Sequence, residues 1–347
     1  FGFGANYVGL PVTLRGADGA VVTGRAILDF GGTYPTLYRS RTTRWQASGR
    51  STGHVARGLD VTGGGRWERE AGFDDPAGSP IATRENGGAF VEVHAEAASR
   101  LWATVGVGVE HNAVFGTVTV PRVAAALFAR RAMRGATWGD TKVVVNAGSG
   151  IKAPSVFQQQ NSLSALVDPS RGLQVPAVGP ERGRDLDVGV EQWANSNGLH
   201  ARVAYFRNAY RDLLEYLTRT QLPQAGVPAA TAAAAQYGAY VNASSFVARG
   251  LESSVDVRMG DAWRVSGTYT YLHARVTRAL SATPSFNPTF PGVAIGAYAP
   301  LVGERPFRRP THSASVMVTG HVRRTQVGAM LALVGARDDS TYLSDAF

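Results

Sequence analysis

The sequence contains no cysteine, and its only lysines are Lys142 and Lys152. The absence of cysteine excludes a disulfide framework, a thiolate zinc site and a cysteine nucleophile. No apolar run approaches the ~18–20 residues of a transmembrane helix, the richest being short pieces such as Val123–Ala129. The start has neither an initiating methionine nor a signal segment, so we expect the chain to begin inside a longer gene product.

Positive charge is in excess, with a formal net charge of +9 carried almost wholly by arginine. Such an excess suits nucleic acid or an anionic lipid surface, and coding bias accounts for it equally well. Because the arginines are spread over many segments rather than interleaved with stacking rings, we expect no nucleic-acid partner. The 347 residues are 44% apolar, which excludes intrinsic disorder and leaves the number of domains open.

The dominant pattern is an alternation of apolar and polar residues with period two. In the segment 101–110 the odd positions hold Leu, Ala and three valines, whereas the even positions hold Trp, Thr, Gly, Gly and Glu. The same alternation recurs in the segments 185–191, 250–259 and 262–271. This period indicates β-strands with one apolar and one polar face.

Two architectures produce this pattern: a soluble sandwich with polar residues outside, or a membrane barrel with apolar residues facing lipid. Globular strands are usually about 5–6 residues long, whereas a tilted strand that crosses a bilayer needs about 9–11. The segments that reach or exceed the longer value are Ala20–Phe30, Thr36–Ala47, Arg100–His111, Leu199–Leu217, Tyr240–Met259 and Ala262–Arg278. Strand length therefore favours the membrane barrel.

The connections between these strands alternate between short and long. The short ones include 97–99, 195–198 and 260–261, and the long ones are 150–184, 218–236 and 280–310. Short turns on one rim and long loops on the other are typical of an outer-membrane barrel. We therefore predict an all-β, antiparallel up-and-down transmembrane β-barrel with about 15 strands in this chain.

An ordered series of short motifs resembles the barrel half of TonB-dependent outer-membrane receptors over residues 140–320 approximately. Its first members are Gly150–Gln158, Gly179–Arg182, Asp185–Gln192, Tyr205–Asn208 and Tyr210–Leu214. They are followed in the family's order by Tyr240–Ala243, Gly250–Glu252, Tyr269–Leu272, Arg305–Pro306 and Arg309–His312. Residues 1–139 share only the alternating pattern.

The resemblance implies a barrel of about 22 strands in the bacterial outer membrane, with a globular plug folded inside it. It also implies a TonB-type energy-coupling protein, which contacts a segment N-terminal to the plug. We expect residues 1–347 to form a single partial barrel domain, with the plug and the final strands outside this chain. Further expected partners are outer-membrane lipid or lipopolysaccharide and a bulky small-molecule ligand such as a ferric siderophore or cobalamin. No cofactor, metal site or catalytic residue is expected.

Charged residues on one side of the predicted strands would line the lumen and contact the plug. These lumen candidates are Asp185, Asp187, Glu191, Arg202, Glu252, Asp256, Arg258 and Arg264. The alternative is that they are solvated wall charges that pair across strands. Glu92, His94 and Glu96 also share one strand face and form either a polar ladder or, less favourably, a divalent metal site.

Aromatic residues in the long loops are candidates for ligand binding, because large rings bury much area at a low cost in entropy. The loop candidates are Tyr237, Tyr240, Phe286, Phe290 and Tyr298. They could instead pack the loops against one another. In the loop 281–300, four prolines argue against any regular strand or helix.

Two other functions remain open at this stage, a passive porin-like barrel and an outer-membrane hydrolase. The sequence contains no H-E-x-x-H and no P-loop, so we predict that the protein is not an enzyme. A plug with a coupling segment would favour active transport over a porin.

Overall fold

The computed structural model describes residues 11–15, 21–25, 40–74, 82–133, 136–166, 177–195, 198–234, 238–282, 284–286, 294–297 and 299–339. Its strands are β1 (Pro11–Arg15), β2 (Val21–Arg25), β3 (Ser40–Ala56), β4 (Leu59–Asp74), β5 (Ala82–Ala97), β6 (Leu101–Asn112), β7 (Gly116–Arg130), β8 (Trp138–Lys152), β9 (Glu181–Ala194), β10 (Leu199–Leu217), β11 (Ala239–Met259), β12 (Trp263–Arg278), β13 (Pro284–Phe286), β14 (Ala294–Ala297), β15 (His312–Val322) and β16 (Thr325–Val334). Its helices are α1 (Val156–Gln160), α2 (Leu163–Leu166), a 3-10 helix (Arg219–Ala225) and α3 (Ala229–Ala234).

One antiparallel sheet of twelve strands contains β3 to β12 followed by β15 and β16, each paired with its neighbour in that order. Two small ribbons, β1 with β2 and β13 with β14, complete the described strands. The strands of the large sheet are 10 to 21 residues long. The predicted antiparallel up-and-down architecture is therefore confirmed, and the strands are long enough to cross a bilayer.

The connections separate the sheet into two rims. The short-turn rim carries the connections 57–58, 98–100, 131–137, 195–198, 260–262 and 323–324. The long-loop rim carries 75–81, 113–115, 153–180, 218–238 and 279–311. The three longest connections thus lie at the same rim, as the alternation of short and long segments predicts.

The register gives the sheet two chemically different faces, because directly paired residues point to the same side. On one face Val145 pairs with Val188, which pairs with Tyr205, which pairs with Leu251. Many large residues of this apolar face are exposed, for example Val145 at 37% and Val105 at 60%. Within the described residues no second layer covers them. Most charged residues of the strands lie on the opposite, polar face, whereas Arg69, Arg184 and Arg207 share the apolar face.

The polar face lies on the concave side of the sheet. After β8 the segment 153–166, which we call the strap, crosses this face at the long-loop rim. The Arg84 guanidinium of β5 donates to the Pro154 carbonyl, and the Tyr240 N–H of β11 donates to the Asn161 carbonyl at 2.9 Å. Along the sheet β5 and β11 are six strand spacings apart, or about 29 Å, whereas the strap, which contains α1, reaches only about 20 Å even with the arginine side chain. The sheet must therefore curve around the strap.

Two sequence predictions on the strands are wrong. The strand predicted as Thr36–Ala47 is β3, which continues to Ala56 because glycines 49 and 53 lie inside the strand rather than in a turn. Glycine is a weak strand former, so the sequence pattern did not reveal that the strand continues past residue 47. In the segment Ala20–Phe30 the structure describes residues 21–25, which form β2, and the rest of that segment lies outside the described residues. The proline-rich loop contains a two-stranded ribbon, with Pro284 at the start of β13.

The edges of the large sheet are β3 and β16. Within the described part of the chain, each of them pairs with a single neighbour, so the twelve strands form an open sheet. Every described side chain of β16 is exposed. A closed barrel would therefore need further strands at these edges, because unpaired backbone groups are not tolerated in lipid.

Candidate functional site

All eight predicted lumen candidates lie on the polar face. In the register, Glu191 of β9 is paired with Lys142 and with Arg202 of β10, while Asp256 of β11 is paired with Ser266 of β12. The same register assigns to this face Asp185, Asp187, Glu191, Arg202, Glu252, Asp256, Arg258 and Arg264. The structure thus gathers charges from four successive strands on the concave side.

Cross-strand pairing accounts for three of these eight charges. Glu191 lies 3.2 Å from Lys142 Nζ, and Asp256 lies 2.8 Å from Arg264 and accepts a hydrogen bond of 2.6 Å from the Ser266 hydroxyl. The candidates without an ion pair among the described residues are Asp185, Asp187, Arg202, Glu252 and Arg258. Unpaired charges of this kind need water or a polar partner in the concave space.

A buried polar network in β3 to β5 was not among the predicted site residues. Arg44 and Asn86 both donate to the Glu68 carboxylate, Asn86 at 3.0 Å, and Arg84 Nε donates to Glu70 at 2.5 Å. Glu68 and Arg84 are only 5% and 8% exposed. The network borders a cavity of about 520 Å³ lined largely by charged and polar side chains.

The sequence does carry a signal for this network. Residues 66, 68 and 70 are Arg, Glu and Glu, alternating with residues of the other face, and residues 84 and 86 are Arg and Asn. Each of these two sets, taken alone, indicates only an ordinary polar strand face. The network follows only from the register that pairs Glu68 with Asn86 and Glu70 with Arg84.

The strap is anchored at both ends. Pro154 is fully buried beside Arg84, and α1 begins with a capping box in which Gln158 N–H donates to the Ser155 hydroxyl at 3.1 Å. At the other end Leu163 enters a small hydrophobic core with Leu217 of β10. The same core contains residues of the 218–238 loop, namely Leu222, Val227 and Ala232. Two of the long loops are therefore packed together over the concave face.

Tyr240 is the loop candidate whose surroundings the structure describes best. It is the second residue of β11, and its ring lies 5.9 Å from the Phe157 ring of the strap and 5.2 Å from the Tyr216 ring. Phe157 and Tyr216, both partly exposed, were not predicted as ligand-binding residues, because the strap brings Phe157 to Tyr240 and the pairing of β10 with β11 brings Tyr216 to it. The backbone of Phe286 lies in β13. The other candidates, Tyr237, Phe290 and Tyr298, lie outside the described residues.

A strip of rings crosses the polar face at the short-turn rim. Centroid distances are 5.5 Å from Trp102 to Phe128, 6.4 Å from Phe128 to Trp193 and 4.5 Å from Trp193 to His200. The Arg131 guanidinium lies 3.6 Å from the centre of the Phe128 ring, in a cation–π contact. The strip was not predicted, because its members come from four strands that only the register brings together.

In the described part of the chain, no three or more His, Asp or Glu side chains converge on a metal position. Glu92, one member of the possible metal set with His94 and Glu96, instead lies 3.0 Å from Arg122 and 3.6 Å from His94. Among the described residues, no helix combines the length and the apolar character needed to cross a membrane.

Comparisons with known proteins agree with this architecture. The family model described as TonB dependent receptor-like, beta-barrel matches residues 2–344. The siderophore receptor PirA from Pseudomonas aeruginosa is similar at 18% identity and a TM-score of 0.57, over 84% of this chain and 46% of that one. PirA from Acinetobacter baumannii is similar at 13% identity and a TM-score of 0.58, over 96% of this chain and 47% of that one.

The copper transporter OprC is similar at 14% identity and a TM-score of 0.56, over 88% of this chain and 45% of that one. At such identities the likeness concerns the fold. The chain spans less than half the length of these three solved structures. None of the curated proteins matches this sequence.

Proposed function

Because this chain belongs to the TonB-dependent receptor β-barrel family, we propose that it forms part of the wall of an outer-membrane receptor that binds a scarce extracellular ligand and imports it. The family is one of outer-membrane transporters and receptors rather than enzymes. The receptor performs no chemistry on the ligand. It binds the ligand at the long-loop rim and releases it at the short-turn rim.

The observation that carries this proposal is the inverted distribution of polarity in the sheet. Many valines and leucines of the apolar face are exposed, whereas Glu68 and Arg84 of the concave polar face are buried. In water an uncovered apolar sheet of this size would aggregate, whereas in a bilayer it faces lipid tails. A barrel wall is the arrangement that satisfies both faces.

The ligand we propose is a bulky small molecule, of the kind represented by ferric siderophores or cobalamin. Two of the similar structures are described as siderophore receptors and one as a copper transporter. Tyr240, together with Phe157 and Tyr216, offers adjacent rings at the long-loop rim, and such rings suit a large ligand with apolar parts. The loop aromatics Tyr237, Phe286, Phe290 and Tyr298 stay candidates for the same role.

Energy would come from a TonB-type partner that remodels a plug inside the barrel. The unpaired charges Asp185, Asp187, Arg202, Glu252 and Arg258 would then hold the plug through hydrated polar contacts. Such contacts are weaker than packed apolar ones, so a plug held by them could shift without unfolding the wall.

The test is ligand uptake by the complete gene product. It is expressed in an outer-membrane host without its own ferric and cobalamin receptors, and radiolabelled ferric chelates and cobalamin are supplied with and without the host's TonB-type gene. We expect saturable uptake of at least one ligand class, abolished by deletion of that gene. Uptake that persists after deletion would instead identify a passive pore, and failure of the protein to reach the outer membrane would refute the proposal.

A further inference from the structure

Exposed arginines without ion partners occupy the short-turn rim. We define the rim arginines as Arg57, Arg100, Arg130, Arg323 and Arg324, all of them exposed. They lie in or next to the connections 57–58, 98–100, 131–137 and 323–324. Within the described residues none of them forms an ion pair or a side-chain hydrogen bond. Their charge is therefore available to an external anion.

Carboxylates near this rim do not balance the charge. Asp60 is paired with His54, and Asp140 is paired with Arg131 at 3.2 Å. Glu96 and Asp261 are exposed nearby, so five unpaired arginines face two such carboxylates. Among the described residues, the short-turn rim therefore has more unpaired positive than negative side chains.

The arginines are accompanied by large apolar side chains that are exposed. Met259 and Trp263 are directly paired on the apolar face, and they are 51% and 37% exposed. Trp138 and Met133, in or beside the 131–137 connection, are 57% and 72% exposed. Tryptophan beside arginine at one height of a membrane strand is the composition of the boundary between tails and headgroups.

We propose that the rim arginines bind anionic phospholipid headgroups, such as phosphatidylglycerol or cardiolipin, in the inner leaflet of the outer membrane. The inference rests on the proposed function, because it takes the short-turn rim as the periplasmic side. An arginine guanidinium donates two parallel hydrogen bonds to a phosphodiester. The excess of positive charge at the rim favours a lipid with a net negative charge over a zwitterionic lipid, whose headgroup cation offsets its phosphate. The exposed methionines and tryptophans would contact the first carbons of the acyl chains.

The test measures lipid binding to the full-length protein, purified in mild detergent and delipidated, by native mass spectrometry. Short-chain phosphatidylglycerol and phosphatidylcholine are titrated separately. The rim variant replaces Arg57, Arg100, Arg130, Arg323 and Arg324 with glutamine. The matched control variant makes the same replacement at five exposed arginines toward the long-loop rim, Arg211, Arg219, Arg275, Arg278 and Arg309. Heat-modifiable electrophoretic mobility verifies that both variants are folded.

We expect the unmodified protein to prefer phosphatidylglycerol, the rim variant to bind it about tenfold more weakly, and the control variant to bind it as the unmodified protein does. Equal phosphatidylglycerol binding by the rim variant, or an equal loss in both variants, would overturn the inference. Ligand uptake measured in parallel separates the two proposals. Uptake without lipid preference refutes only the lipid site, and lipid preference without uptake refutes only the transport function.

Discussion

At the scale of single residues, the polar face contains two kinds of charge. Some are buried and paired, such as Arg84 with Glu70 and Glu68 with Arg44, and others project unpaired into the concave space. The two kinds differ in what their removal costs. Removal of one residue of a buried pair leaves the other charge without water and without a partner, which lowers the free energy of unfolding. Removal of a solvated charge changes the free energy of unfolding very little.

Replacement of Arg84 by alanine should therefore destabilise the full-length barrel by about 3 kcal/mol, because Glu70 and the Pro154 carbonyl lose their donor. The measurement is urea unfolding in lipid vesicles followed by tryptophan fluorescence. Arg50→Ala is the control, since Arg50 lies exposed on the same face without an ion pair among the described residues. Equal effects of the two substitutions would show that the network contributes no stability.

At the scale of elements, the strap joins parts of the sheet that are distant along the wall. It contacts β5 through Pro154, β11 through Asn161 and the loop core through Leu163. A bulky ligand that enters from the long-loop rim, as we propose, would meet this segment before it reaches the concave space. We therefore expect the strap to move when the ligand passes through the barrel.

A disulfide that ties the strap to β11 tests this expectation. Ser162 and Tyr240 are bridge partners, and the chain has no native cysteine, so the variant with S162C and Y240C can form one bond only. Under oxidising conditions we expect uptake to fall at least about tenfold, and a reductant should restore it.

Each single cysteine variant serves as the control for loss of the native side chain. Uptake that is the same in the oxidised and reduced double variant would mean that the strap stays closed during transport.

At the scale of the whole molecule, the twelve strands form a curved wall with lipid as the solvent of its convex side. The alternative of a soluble sandwich would bury the same valines against a second sheet. Their exposure in the described residues is incompatible with that arrangement.

An arginine introduced on the apolar face should therefore destabilise the protein, whereas one introduced on the polar face should not. Val188→Arg puts a charge on the lipid side near the middle of β9 and should cost about 2–4 kcal/mol of folding free energy. Thr270→Arg puts the same side chain on the polar face beside Glu252 and should be nearly neutral. The free energy of folding into lipid vesicles is measured for each variant of the full-length protein. Similar costs for both would contradict the assignment of the faces.

Much of the fold could be predicted from the sequence, and less of the site. The strand face that carries Asp185, Asp187 and Glu191 follows from alternation within β9 alone, so its identification needed no partner strand. The network around Glu68, the trio of Tyr240, Phe157 and Tyr216, and the ring strip from Trp102 to His200 each require several strands in a particular register. No local pattern encodes those combinations.

By itself the sequence determined which side of β6, β9, β11 and β12 is apolar, which rim bears the long loops, and the resemblance to the receptor family. These properties depend on neighbouring residues and on transfer of side chains between water and lipid, so a short window of sequence contains them. Only the tertiary structure decided that the strap crosses the concave face and that Arg84 is buried beneath it. Contacts between residues 84 and 154 or 162 and 240 arise from sheet curvature and strand pairing, which act over the whole wall.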